Sequence, residues 1–278
     1  MALLHVNFFS GVLGMCMQMD VILPEKTRGQ IGMEGEKKDG KIPVLYLLHG
    51  MSDDHTIWQR RTSIERYVSE MGIAVVMPAV HLSWYTDTAF GYKYWAFISG
   101  ELPEICRNFF HNLSDKREEN FAAGLSMGGY GALKLGLAAS DTFGAVASLS
   151  GGLDIQDICF NIRKDVDKSF WSSIFGDLDK VEGGDKDLFF LAEELRASGK
   201  PLPKVYMWCG TEDFLYHENV KMKAHLMKLG YDLTYEESPG NHQWKYWDEK
   251  IQTVLKWISL QLTEKPGQEE SDEEAEHQ

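Results

Sequence analysis

The sequence predicts an α/β fold: a mostly parallel central sheet with helices on both faces and a small cap-like insertion. Three observations carry this. Continuous apolar runs recur at residues 43–48, 73–77, 121–123, 145–149 and 205–209, the pattern of strands buried on both faces. Helical segments separate most of them, which suits parallel strands joined by crossovers. Several runs end in loops that combine glycine with polar side chains, and such sheets bind ligands outside the carboxyl ends of their strands.

Residues 3–9 and 15–23 read as two strands parted by Ser10-Gly11, a turn signal. Met15, Met17, Met19 and Val21 share one face at period two and are expected in the core. Residues 25–41, charged and glycine-rich, should be an exposed loop. After the strand at 43–48 comes His49-Gly50-Met51. His49 reads first as a packed histidine that orients this loop. Residues 52–71 carry an amphipathic helix with Thr62 or Ser63 as an internal cap, and 73–77 form a strand closed by Pro78. Residues 81–94 form an aromatic loop, either a packed Ω-loop or a wall of a binding pocket. Residues 101–111 are helical. After the strand at 145–149, residues 153–203 are too long for a simple connection and should hold one or two helices as a cap. A strand at 205–209, a helix at 218–229 stopped by Gly230, a strand at 231–237 and a final helix at 244–262 complete the domain, taken as residues 1–265.

Composition bounds the partners. The 278 residues contain 44% hydrophobic and 25% charged side chains, ordinary for one large globular domain. The formal net charge is −14, and no basic patch stands out, so nucleic acid and anionic membrane surfaces are not expected partners. Residues 266–278 are expected to be a disordered acidic tail. Four cysteines are scattered without a C-x-x-C pair, so zinc and redox motifs are unsupported, and Cys209 reads as a core residue. No run approaches a membrane span, and the N-terminus reads as a strand rather than a signal peptide. A cytoplasmic location is the resulting expectation.

The chemistry centres on Gly124-Leu125-Ser126-Met127-Gly128, the pattern G-x-S-x-G. Between a buried strand and an apolar helix it matches the nucleophile elbow of an α/β-hydrolase, where glycine is needed because the turn is tight. A serine hydroxyl needs a base within reach, and the base needs an orienting acid. Asp213 follows the strand at 205–209, and His242 follows the strand at 231–237. The chain order Ser, Asp, His is that of the α/β-hydrolase triad. Glu212 is a rival acid, while His217 and His225 are rival bases in or beside a helix. The backbone N–H groups of Met51 and Met127 are the oxyanion candidates. His49, Trp84, Tyr85 and Tyr130 are candidates for lining the substrate pocket. No metal or organic cofactor is required.

Leu47-Leu48-His49-Gly50-Met51, Trp84-Tyr85-Thr86-Asp87-Thr88, residues 123–131 (A-G-L-S-M-G-G-Y-G), residues 209–216 (C-G-T-E-D-F-L-Y) and His242-Gln243-Trp244 together resemble the bacterial tributyrin-esterase, or acetyl-esterase, group of the esterase D family. The resemblance spans about residues 3–262. It implies hydrolysis of short-chain acyl esters, with carbohydrate deacetylation or cinnamoyl-ester cleavage as variants. By the same resemblance the catalytic roles fall on Ser126, Asp213 and His242, and the oxyanion role on Met51 and Met127. Oligomers are common among such esterases, so a homo-oligomer is also implied. Three alternatives remain: an acyltransferase, an S-formylglutathione hydrolase, and a non-catalytic ligand-binding member of the fold. The absence of a cysteine in the His-Gly-Met loop lowers the S-formylglutathione option.

Overall fold

In the computed structural model the strands are β1 (Ala2–Ser10), β2 (Met15–Leu23), β3 (Val44–Leu48), β4 (Ala74–Pro78), β5 (Asn120–Leu125), β6 (Ala145–Leu149), β7 (Lys204–Gly210) and β8 (Leu233–Ser238). The structure describes residues 1–27, 29–37 and 40–263, so the acidic tail expected from residue 266 lies outside the described residues. The strands form one eight-stranded sheet in the order β1-β2-β4-β3-β5-β6-β7-β8. β2 pairs antiparallel with β1 and with β4, and the remaining pairs are parallel. This is the α/β-hydrolase arrangement that the elbow motif implied.

The central strands are apolar on both faces because both faces are covered. Val44, Tyr46 and Leu48 of β3 join one core cluster, while Leu45 and Leu47 join the other. The second face is covered by α1 (Ile57–Arg61), α2 (Ile64–Val68) and α10 (Trp244–Thr263), through Trp58, Ile64, Val68, Trp247 and Ile251. The first face is covered by α3 (Tyr94–Ala96), α4 (Leu102–Phe109), α5 (Met127–Ala138), α6 (Ile155–Asp157), α7 (Lys168–Phe175), α8 (Leu188–Ser198) and α9 (Tyr216–Lys228).

The chain winds from β3 outward to β4, then returns across β3 to β5 and continues to β8. The winding reverses between β3 and β5, and sheets of this kind bind their ligands at such a switch point. The residue after β5 is Ser126.

Several local expectations shift. The helix expected over 52–71 is split into α1 and α2, because the Thr62 hydroxyl donates to Trp58 O and accepts from Ile64 N–H, capping one helix and starting the next. The helix expected from residue 101 begins at Tyr94 and passes through a π-turn, Phe97–Glu101, before α4. Asp87 accepts from Trp95 N–H at 2.9 Å and Ala96 N–H at 3.1 Å, which satisfies the first free donors of that stretch. The insertion between β6 and β7 holds α6, α7 and α8 with short π and 3₁₀ turns between them.

Candidate active site

Ser126 stands at φ 53°, ψ −119°, a backbone conformation that a side chain rarely adopts. Packing holds it there. Its N–H donates to Leu149 O at 3.0 Å, and its carbonyl accepts from Gly129, Tyr130 and Gly152 N–H. The flanking glycines have no room for a side chain. A Cβ at Gly124 would come 2.4 Å from Gly128 O, and one at Gly128 would come 2.5 Å from Leu48 O. The β3 loop therefore presses directly on the elbow. Among the described residues, all six positive-φ residues other than glycine follow central strands: Ser52 after β3, His81, Trp84 and Tyr85 after β4, Ser126 after β5 and Ser150 after β6. Strained backbone concentrates at one edge of the sheet, as it does at functional sites generally.

The structure brings Ser126, Asp213 and His242 together at that edge. His242 Nε2 lies 3.0 Å from Ser126 Oγ. His242 Nδ1 lies 2.9 Å from Asp213 Oδ2 and 3.1 Å from Oδ1. Since an ionised carboxylate only accepts, this network assigns the proton to Nδ1 and leaves Nε2 as acceptor for the serine hydroxyl. Asp213 is 5% exposed, and Leu215 N–H also donates to its Oδ1 at 2.9 Å. Trp247 packs edge-on against the His242 ring at 4.7 Å, and its indole N–H donates to Ser150 Oγ.

The rival groups have other partners. Glu212 accepts from Gly240 N–H, and this bond holds its carboxyl below the ordinary range. Glu212 N–H in turn donates to Gly240 O at 2.9 Å. Glu212 thus clamps the loop carrying Asp213 to the loop carrying His242. The fit is tight, since a Cβ on Gly210 would lie 2.2 Å from Gly240 O. His217 and His225 lie on α9, and His225 Nε2 is 3.1 Å from Phe189 O.

The oxyanion candidates lie on the two chain segments that leave β3 and β5. Met127 is the first residue of α5, where a backbone N–H has no partner within the helix. Met51 follows Gly50, whose Cα is so close to the elbow strand that a Cβ would meet Leu125 Cδ1 at 2.7 Å. The loop is braced from below. Trp58 Nε1 donates to Leu48 O and Tyr85 Oη donates to His49 O. His49 is buried, with Nδ1–H donating to Gly50 O at 2.8 Å and Nε2 accepting from Val80 N–H at 3.1 Å. Burial lowers its pKa to about 4, so the ring is neutral. Both nitrogens of His49 are therefore spent on tying the β3 loop to the β4 loop.

Of the remaining pocket candidates, Trp84 and Tyr130 meet in one aromatic cluster, while Tyr85 lies against His49 with ring centroids 6.0 Å apart. Trp84 meets Tyr130, Trp171 and Phe175 edge-on at 5.7–5.9 Å. A Cβ on Gly152 would lie 3.0 Å from the Trp84 ring edge, and Gly152 is bonded to Ser126 O. Tyr85 and Tyr130 are fully buried, and their hydroxyls donate to His49 O and Lys186 O.

Two supports had no signal in the sequence. Glu218 Oε2 accepts from Leu153 N–H at 3.0 Å and Asp154 N–H at 3.4 Å, and burial pushes its carboxyl up to about 9. Asn219 donates to Gly151 O and Leu215 O. Together they tie the loop after β6 to the start of α9. Both are ordinary helix residues in sequence; only their depth distinguishes them. Lys134 is the single charged residue of α5. It is buried, donates to Thr86 Oγ1 at 2.9 Å and lies over the Trp95 ring.

Residues 10–258 match the family model for putative esterases. An acetyl esterase of Caldicellulosiruptor saccharolyticus is 34% identical, covering 93% of this chain and 98% of that protein. Two Staphylococcus aureus structures are each 35% identical and cover 93% of this chain and 98% of theirs. One is a fluorophosphonate-binding serine hydrolase with a TM-score of 0.82. The other is an S-formylglutathione hydrolase with a TM-score of 0.79.

Proposed function

Since the chain belongs to the putative-esterase family and is a serine carboxylesterase, we propose that it hydrolyses short-chain acyl esters with Ser126 as nucleophile, His242 as base and Asp213 as its orienting acid. The supporting observation is the imidazole bridging the serine hydroxyl at 3.0 Å and the carboxylate at 2.9 Å. His242 Nε2 takes the proton as Ser126 Oγ bonds to the ester carbonyl carbon. The carbonyl π pair moves onto oxygen, where the N–H groups of Met127 and Met51 receive it. One such donor is typically worth about 2.7–4 kcal/mol. As the tetrahedral carbon collapses, the C–O bond to the alcohol breaks and His242 Nε2–H protonates the leaving oxygen. Water then attacks the acyl-enzyme by the same route and frees the acid. Asp213 stays ionised and stabilises the imidazolium.

The aromatic cluster around Trp84, linked to Ser126 through Gly152, supports a preference for acyl groups of a few carbons. Thioester hydrolysis is a second reading, favoured by the S. aureus S-formylglutathione hydrolase at 35% identity. Four free cysteines suit a reducing compartment, so a cytoplasmic location belongs to the proposal. No helix among the described residues is long and apolar enough to cross a membrane.

The test is p-nitrophenyl acetate turnover and labelling by a serine-directed phosphonate, in the parent and in Ser126→Ala. The variant should lose at least about 10³-fold in kcat and all labelling while keeping its Tm. Full turnover in Ser126→Ala would remove the nucleophile assignment. Higher kcat/KM on S-formylglutathione than on acetyl esters would favour the thioester reading.

A further inference from the structure

One large apolar side chain packs against the candidate base and yet faces solvent. Phe214 follows Asp213 and is 50% exposed. Its ring centroid is 4.6 Å from that of His242, tilted by 50°. The imidazole thus contacts two aromatic rings of different character. Trp247 is buried, fixed by its bond to Ser150 Oγ, and belongs to the core. Phe214 leaves half its surface in water, at an unfavourable cost for an apolar ring. Its neighbour Leu215 is the residue that turns inward and donates to Asp213.

Different groups flank Ser126. On its backbone side Gly152 N–H donates to Ser126 O, and the Trp84 ring edge packs close to Gly152. On its hydroxyl side stands His242, with the half-exposed Phe214 ring against the imidazole. Acyl transfer assigns the two parts of an ester to these sides, because the base that takes the serine proton must hand it to the leaving oxygen. The alcohol therefore has to lie on the His242 side, and its carbon substituent extends from Nε2 toward solvent.

The geometry points to Phe214 as a specificity-determining residue for the leaving group, selecting esters of aromatic or bulky apolar alcohols over esters of small alkyl alcohols. This inference rests on the proposed Ser126–His242 reaction and deepens it. An aryl ring carried by the alcohol offers Phe214 an offset or edge-on partner at the moment the C–O bond breaks. A short alkyl alcohol offers almost none. The acyl group, held on the Trp84 side, does not feel the difference. Once the alcohol has left, deacylation involves water only, so Phe214 acts on acylation alone.

Benzyl acetate and propyl acetate separate these effects, because they share the acyl group and have similarly poor leaving alcohols. In the parent, kcat/KM should favour benzyl acetate. In Phe214→Ala that preference should fall about tenfold, the size of one lost aromatic contact. Where deacylation limits turnover, kcat and its pH profile should stay as in the parent. Phe214→Tyr should keep the preference, and Tm of both variants should match the parent. An equal loss on both esters, or a shifted pH profile of kcat, would mean that Phe214 only props His242 and would overturn the inference. An unchanged benzyl-to-propyl ratio would overturn it as well. Ser126→Ala assayed beside these variants keeps the two readings apart. If it retains turnover the serine mechanism fails, whereas a dead Ser126→Ala with an unchanged ester ratio refutes the Phe214 role alone.

Discussion

Gly128→Ala should cost far more activity than stability. A Cβ at this position would lie 2.5 Å from Leu48 O and 2.7 Å from His49 O. Ordinary contact begins near 3.4 Å, so the shortfall is about 0.9 Å against backbone atoms. The carbonyls cannot swing aside, since Leu48 O accepts from Trp58 Nε1 and His49 O from Tyr85 Oη. The first turn of α5 must instead retreat from the β3 loop by close to that distance. Overpacking of this kind costs about 1–3 kcal/mol, and replacing glycine with alanine in a helix returns up to about 1 kcal/mol. The net effect on Tm should be a few degrees. The effect on rate is larger, because Ser126 and Met127 move with the turn, and a misplacement of about 1 Å can cost about 10²-fold. Gly136→Ala is the control. There a Cβ would meet Val146 Cγ2 at 2.7 Å and Pro203 Cγ at 3.3 Å, side chains of the core remote from Ser126. That variant should lose comparable stability and keep kcat. Thermal melts with p-nitrophenyl acetate kinetics on both variants make the comparison. Full kcat in Gly128→Ala would refute the claim that close approach of the β3 loop sets the geometry of the elbow.

Two buried ionisable groups should give opposite pH signatures. Glu218 is raised from 4.5 to about 9, chiefly by burial and further by Asp154. The folded state therefore binds the extra proton between these values, and stability falls as pH rises across the window. Glu218→Gln keeps an acceptor for Leu153 and Asp154 N–H and removes the titration. Its Tm advantage should grow from pH 5 to pH 9, and a pH-independent offset would refute the burial argument. Lys134 is lowered from 10.5 to about 7 by burial. Here the unfolded chain binds the extra proton, so stability rises with pH between these values. Lys134→Met should be more stable than the parent at pH 7, and that advantage should shrink toward pH 10. A destabilised Lys134→Met across the whole range would mean that the bond to Thr86 outweighs the buried charge.

Much of the architecture was readable along the chain. Strands buried on both faces require continuous apolar runs, so β3, β4, β5, β6 and β7 announce themselves within a residue or two. The order of Ser126, Asp213 and His242, each on the segment that follows a strand, was readable too. Parallel strands carry their following loops to one edge of the sheet, so linear position converts to spatial proximity. Boundaries set by side-chain bonds were not readable. The split between α1 and α2 depends on which way the Thr62 hydroxyl turns, and the early start at Tyr94 depends on Asp87 reaching two free N–H groups.

Sequence alone determined the fold class and which loops meet, because burial periodicity and strand–helix alternation are properties of residue order. Only the tertiary structure decided what each polar residue does inside those loops. Glu212 and Asp213 are adjacent acids in the chain, yet one clamps two loops and the other lies behind His242. Glu218 and Lys134 became unusual only through depth, since desolvation depends on what the rest of the chain packs around a group. Phe214 and Leu215 are neighbouring apolar residues of which one is buried and one faces solvent beside the imidazole. Which of two adjacent side chains points inward is settled by the packing of the whole domain.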